Sequence, residues 1–175
     1  ETGAGILALR PAPIQVSYWG FAGTTGAPFI DYAVVDRFVV PPEHQVHFSE
    51  RLAYLPHCYM PNDRKRPVAT ETPSRAACGL PEAGFVFCAF NHVQKITPRM
   101  FALWLRLLAA TPGSVLWLLE TNRWASANLR REAERAGIEP RRLVFAPVLP
   151  LPEHLARYRV ADLFLDTLPY NGHTT

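Results

Sequence analysis

Cysteine is scarce in this sequence: Cys58, Cys78 and Cys88 are the only three among 175 residues. The odd number and unpaired spacing argue against a disulfide framework and a cysteine-based zinc site, and fit a reducing cytoplasm. Long apolar runs are missing too, so no segment reads as a membrane span. The first residues, Glu1-Thr2-Gly3-Ala4-Gly5, lack the charge and apolar stretch of a secretory signal. A cytoplasmic protein with no membrane partner is expected. Charge of one sign is lacking as well: 18 Lys and Arg stand against 15 Asp and Glu, a net charge of +3. With no basic run, a nucleic-acid partner is not expected, whereas small anionic ligands remain open. His44, His47 and His57 have no carboxylate or Cys partner at a ligand spacing, and no metal is expected.

What the chain does have is apolar content, at 49%, and clear punctuation. That content is enough to bury a core. Residues 14–19 read as a buried strand, preceded by Pro11 and Pro13 and followed by Gly20-Phe21-Ala22-Gly23-Thr24-Thr25-Gly26. Glycines there serve either a tight connection or the close approach of backbone to a ligand. Residues 31–35 read as a second strand, Pro41-Pro42-Glu43 opens a helical turn, and residues 51–55 are extended up to Pro56-His57. From residue 60 to 74 the composition turns to Pro, Asn, Asp, Arg, Lys and Thr, an exposed connection. A domain boundary is placed within it, giving domains 1–66 and 67–175. Ser74 is expected to cap a short turn that Gly79-Leu80-Pro81 stops.

Beyond the boundary strands and helices alternate. Residues 85–90, 114–119, 143–145 and 163–165 read as strands. Between them lie helices over 97–110, started by Thr97-Pro98 with Phe101, Leu105 and Leu108 on the apolar face, over 125–136, closed by Gly137, and from Pro152 onward. This pattern implies right-handed crossovers and an α/β fold: a Rossmann-like parallel sheet with helices on both faces.

In such sheets ligands bind outside the carboxyl ends of the strands. Those ends lead into Asn91-His92-Val93-Gln94-Lys95, Glu120-Thr121-Asn122-Arg123, residues 146–154 and residues 166–175. They offer Lys95, His154, Arg157, His173, Thr174 and Thr175, which suit a diphosphate and a ring better than paired-carboxylate chemistry. The final stretch, Tyr170-Asn171-Gly172-His173-Thr174-Thr175, would feed a helix start whose free amides attract an anion, and it also reads as a plain Thr cap. Each residue has an ordinary alternative: Lys95 as a solvated side chain, His154 as a surface residue, Arg157 as the i,i+4 partner of Glu153.

Several segments, in order along nearly the whole chain, resemble the O-linked N-acetylglucosamine (O-GlcNAc) transferase family. They include Leu9-Arg10-Pro11-Ala12-Pro13-Ile14-Gln15-Val16, Gly20 to Gly26 with Asp31-Tyr32, Ser49-Glu50-Arg51-Leu52-Ala53-Tyr54-Leu55-Pro56-His57, Phe90-Asn91, Lys95-Ile96, Leu165-Asp166-Thr167 and Asn171 to Thr175. The resemblance implies a GT-B fold and an inverting glycosyltransferase. It would move N-acetylglucosamine from UDP-GlcNAc to Ser or Thr of a protein or peptide acceptor, with no metal or other cofactor. By the same resemblance Lys95 stabilises the departing UDP, and Thr174 and Thr175 hold its diphosphate. His173 sits beside the sugar, Tyr170 belongs to the substrate site, and His154, Arg157 and the Leu149 backbone lie near the nucleoside. Asn91 and His92 belong to the same pocket, and Gly20 approaches the sugar. Residues 1–66 correspond to the end of the acceptor-side domain, and 67–175 to the start of the UDP-sugar domain.

Animal members of the family have Lys at the position of Leu151, Gln at that of His92, and a long insertion after Pro56-His57. The chain thus looks like a bacterial-type member. It is expected to be a fragment lacking the family's tetratricopeptide repeats, and inactive alone. A GT-B hydrolase or epimerase and a non-catalytic UDP-sugar-binding module are the alternatives.

Overall fold

Parallel pairing joins seven strands into two separate sheets in the structure, a computed structural model describing residues 3–172. The chain forms two units, Glu1–Arg64 and Lys65–Thr175.

In the first unit a short helix α1 (Ala4–Ala8) precedes β1 (Val16–Ser17), β2 (Tyr32–Asp36) and β3 (Arg51–Leu55), in sheet order β1-β2-β3. A 3-10 turn at Pro42–His47 links β2 to β3. Ala33, Val35 and Val40 form the core, with Phe48, Leu52 and Tyr54 against it. The first strand differs from its sequence reading. Only two of its residues pair, and Ile14 and Val16 are 61% and 48% exposed. It is an edge strand pinned by side chains. The Gln15 amide donates to the Asp31 carboxylate at 2.8 Å, Arg10 pairs with the same carboxylate at 3.1 Å, and Trp19 leaves the extended region at φ 55. At the other end of the sheet the buried Asp36 carboxylate accepts from the amides of Phe38, Val39 and Tyr59. Burial opposes its charge, but these three bonds hold its pKa below the ordinary value.

The second unit begins with a 3-10 turn at Ala76–Cys78, started by Ser74 Oγ on the Ala77 amide and stopped by left-handed Gly79. There follow β4 (Val86–Ala89), α2 (Pro98–Ala110), β5 (Val115–Leu119), α3 (Arg123–Arg135), β6 (Leu143–Ala146), α4 (Leu151–Arg157) and β7 (Leu163–Phe164), with sheet order β6-β5-β4-β7. Thr97 Oγ1 caps α2 by accepting from the Met100 amide. α3 starts two residues before its sequence reading, because Asn122 Oδ1 accepts from the amides of Trp124 and Ala125.

The central strands β4 and β5 are apolar throughout because both of their faces are buried. Phe87, Ala89, Leu116 and Leu118 pack with Phe101, Trp104, Leu105 and Leu108 of α2 and Ala133 of α3. Val86, Cys88, Val115 and Trp117 face the opposite way, toward Tyr158, Val160 and Phe164. Alternate side chains thus serve two cores, and helices cover both sides of a parallel α/β sheet.

Candidate functional site

From β4 the chain steps outward to β5 and β6, then returns across the sheet to place β7 on the other flank of β4. The loops leaving β4 and β7 therefore flank the point where the strand order reverses, which is where an open parallel sheet forms its binding crevice.

Both loops are built from short polar contacts. After β4, Phe90 and Asn91 are buried, and His92 starts a 3-10 turn, Val93–Lys95, by accepting from the Gln94 amide through Nδ1. That turn carries Lys95 across to the loop after β7, where Nζ donates to the Asn171 carbonyl at 2.8 Å. The β7 loop is organised by Asp166. Its Oδ1 accepts from the amides of Thr167 and Gly172, both at 2.7 Å, and its Oδ2 from Asn171 Nδ2 at 3.0 Å. Thr167 Oγ1 closes the turn on the Tyr170 carbonyl. Burial pushes the Asp166 pKa up. The bonds from Gly172, Thr167 and Asn171, with the Lys95 charge, push it further down, so the carboxylate stays ionised. Asn91 is 2% exposed, and neither polar atom of its side chain has a partner among the described residues. A buried amide without partners is costly.

Behind the β4 loop lies a layer of rings and one cation. His154 of α4 packs against Phe90 and edge-on against Tyr158, with centroids 5.3 Å apart in each case. Arg157, 1% exposed, lies 4.4 Å over the Phe90 ring and donates from Nη1 to the Pro147 carbonyl at 2.7 Å. Its Nη2 meets His154 Nδ1. The alternative Arg157–Glu153 pair does not form. Arg157 points inward, where a carbonyl and a ring face take the place of a carboxylate. Burial first, and the Arg157 charge second, lower the His154 pKa and favour a neutral imidazole.

The structure thus brings Lys95 together with the 166–172 loop, keeps Asn91 and His92 on the same β4 loop as Lys95, and sets His154 and Arg157 against Phe90 just behind. Leu149 is partly exposed and lines a separate cavity of about 490 Å³ with residues 69–73 and Glu153. Tyr170 is exposed. The loop after β5 serves the fold: Asn122 is spent as a cap, and Arg123 stacks on Trp124. Gly20 belongs to the first unit, and a Cβ built on it meets nothing within 4 Å, so no neighbour there requires glycine. His173, Thr174 and Thr175 lie outside the described residues. Sequence reasoning missed Asp166 and Asn171 as organisers of the loop. Its signal was an Asp directly after a strand and before Thr167-Leu168-Pro169, the setting in which Asx side chains bond to nearby amides. Among the described residues no group of three or more His, Cys, Asp or Glu gathers as a metal site, and no helix is long and apolar enough to cross a membrane.

A parallel α/β sheet with polar loops converging at its switch point defines a Rossmann-like ligand-binding fold. The structure superposes on a mutant O-GlcNAc transferase of Thermobaculum terrenum with a TM-score of 0.80 and 33% identity, over 95% of this chain and 31% of that one, which gives the class as GT-B. The chain belongs to glycosyl transferase family 41, whose model matches residues 2–73 and 64–175. It is 43% identical over 97% of its length to the probable UDP-N-acetylglucosamine–peptide N-acetylglucosaminyltransferase SEC of Arabidopsis thaliana. To the SPINDLY protein of Petunia hybrida, described by the same activity, it is 37% identical over 98% of its length. The chain spans 18% of the length of each of these two plant relatives.

Proposed function

We propose that this chain is part of the catalytic region of an inverting transferase that moves N-acetylglucosamine from UDP-GlcNAc to Ser or Thr hydroxyls of proteins in the cytoplasm, without a metal. Residues 1–66 belong to its acceptor-side domain and 67–175 to its UDP-sugar domain. The observation that carries this reading is the Lys95 ammonium, held by Asn171 at the β4/β7 switch point. Breaking the glycosidic bond leaves negative charge on the UDP, and a fixed cation there stabilises the transition state more than the ground state. Neutral His154 and the Leu149 backbone serve the nucleoside, with Arg157 supporting them from the interior. Asn91 and His92 face the same ligand, whose polar groups would satisfy the Asn91 amide. Thr174 and Thr175 hold the diphosphate, His173 sits beside the sugar, Tyr170 belongs to the substrate site, and Gly20 offers backbone to the sugar.

The test is to incubate the full-length protein with UDP-GlcNAc and a Ser/Thr peptide while following UDP and sugar together. Equal amounts of UDP and glycosylated peptide are expected. Free sugar, an epimerised product or binding without turnover would overturn the transferase reading.

A further inference from the structure

The first unit contains a buried charge that the proposed chemistry does not use. Glu50, just before β3, is 1% exposed, and among the described residues hydroxyls and an amide rather than a cation surround its carboxylate. Thr24 Oγ1 donates to Oε2 at 2.7 Å, the Thr25 amide to Oε1 at 2.7 Å, Thr25 Oγ1 also to Oε1, and Ser49 Oγ to Oε2 at 3.2 Å. The two threonine hydroxyls then accept from the backbone, Thr24 from the Gly26 amide and Thr25 from the Ala27 amide. A carboxylate only accepts, so it fixes the direction of every hydroxyl in this network. Burial disfavours the charge, but the bonds from Thr25 and Thr24 outweigh it and bring the pKa down to about 2.

Thr24, the first residue bonded to this anchor, lies four residues beyond Gly20. On the near side, Trp19 sits at φ 55, a conformation that non-glycine residues keep only where the surroundings hold it, and its Nε1 donates to Met60 Sδ at 3.2 Å. At Gly23 a Cβ would come 2.6 Å from the Phe21 ring, so the intervening residues fold closely on themselves. A short segment fixed at both ends is preorganised backbone.

We propose that Glu50 is a positioning residue: its buried carboxylate locks the 20–26 loop in the form that presents Gly20 to substrate. This rests on the proposed role of Gly20. In the full-length protein, Glu50→Ala and Thr25→Val should raise amide exchange across residues 20–27 about tenfold. They should also lower kcat/KM for peptide glycosylation about tenfold, with the dissociation constant for UDP unchanged. Glu50→Gln keeps one accepting oxygen and should restore part of both, which loss of fold would not allow. Unchanged exchange in Glu50→Ala and Thr25→Val would overturn the anchor while leaving the proposed function standing, since Gly20→Val should still impair transfer. Raised exchange with full transfer would overturn the positioning role, and full transfer in Gly20→Val as well would assign that failure to the reading of Gly20.

Discussion

Replacing Lys95 with alanine in the full-length protein is expected to lower kcat for sugar transfer by about 100- to 1,000-fold, the usual effect of removing one preorganised group from a developing charge. The proposed reaction puts that charge on the diphosphate, and an ammonium is a compact partner for it. Asn171 holds Nζ in place before substrate arrives, so little reorganisation accompanies the reaction. The substitution leaves the fold largely intact, because it removes one exposed hydrogen bond, worth about 1 kcal/mol. Lys95→Arg should not restore the rate, since a longer planar fork does not place its charge at the same point. Steady-state kinetics with UDP-GlcNAc and a peptide check this, and unchanged turnover in Lys95→Ala removes the residue from the mechanism.

The largest effect on stability is expected at Arg157. Its guanidinium fills space over Phe90, reaches toward Trp117 and donates a hydrogen bond to the Pro147 carbonyl. Alanine would delete the cation–π contact, strand the carbonyl and leave a void in a core where Trp117 is 1% exposed. The sum is a loss of about 3–5 kcal/mol, comparable to breaking a buried ion pair. Lysine keeps the charge but cannot both bond Pro147 and lie flat on the ring, so Arg157→Lys should recover only part of the loss. Urea unfolding of the three proteins measures it. A loss below about 1 kcal/mol would place Arg157 among ordinary surface residues.

The contrast between these residues explains what the sequence disclosed. Local chemistry was legible: Thr97-Pro98 marks the start of α2 at the residue observed, and the unbroken apolar runs in β4 and β5 announce strands covered on both faces. Strand alternation then placed Lys95 and the 166–172 loop on one edge of the sheet. Tertiary contacts were not legible. Arg157 shares a helix with Glu153 and looks solvated, because its real partners, Phe90 and the Pro147 carbonyl, lie outside that helix. Ile14 and Val16 have the β-branched character of core strands, yet they sit on a sheet edge where Asp31 takes the Gln15 amide. The start of α3 moved for a related reason, since Asn122 was read as a polar strand end and acts as a cap.

The proposed site for the diphosphate of UDP is the β4/β7 switch point, against Lys95. A structure of the full-length protein with UDP tests it most directly. A diphosphate oxygen is expected about 3 Å from Lys95 Nζ, with the base on the His154 side of the sheet edge. UDP bound elsewhere, with every phosphate oxygen farther than about 6 Å from Nζ, would contradict it.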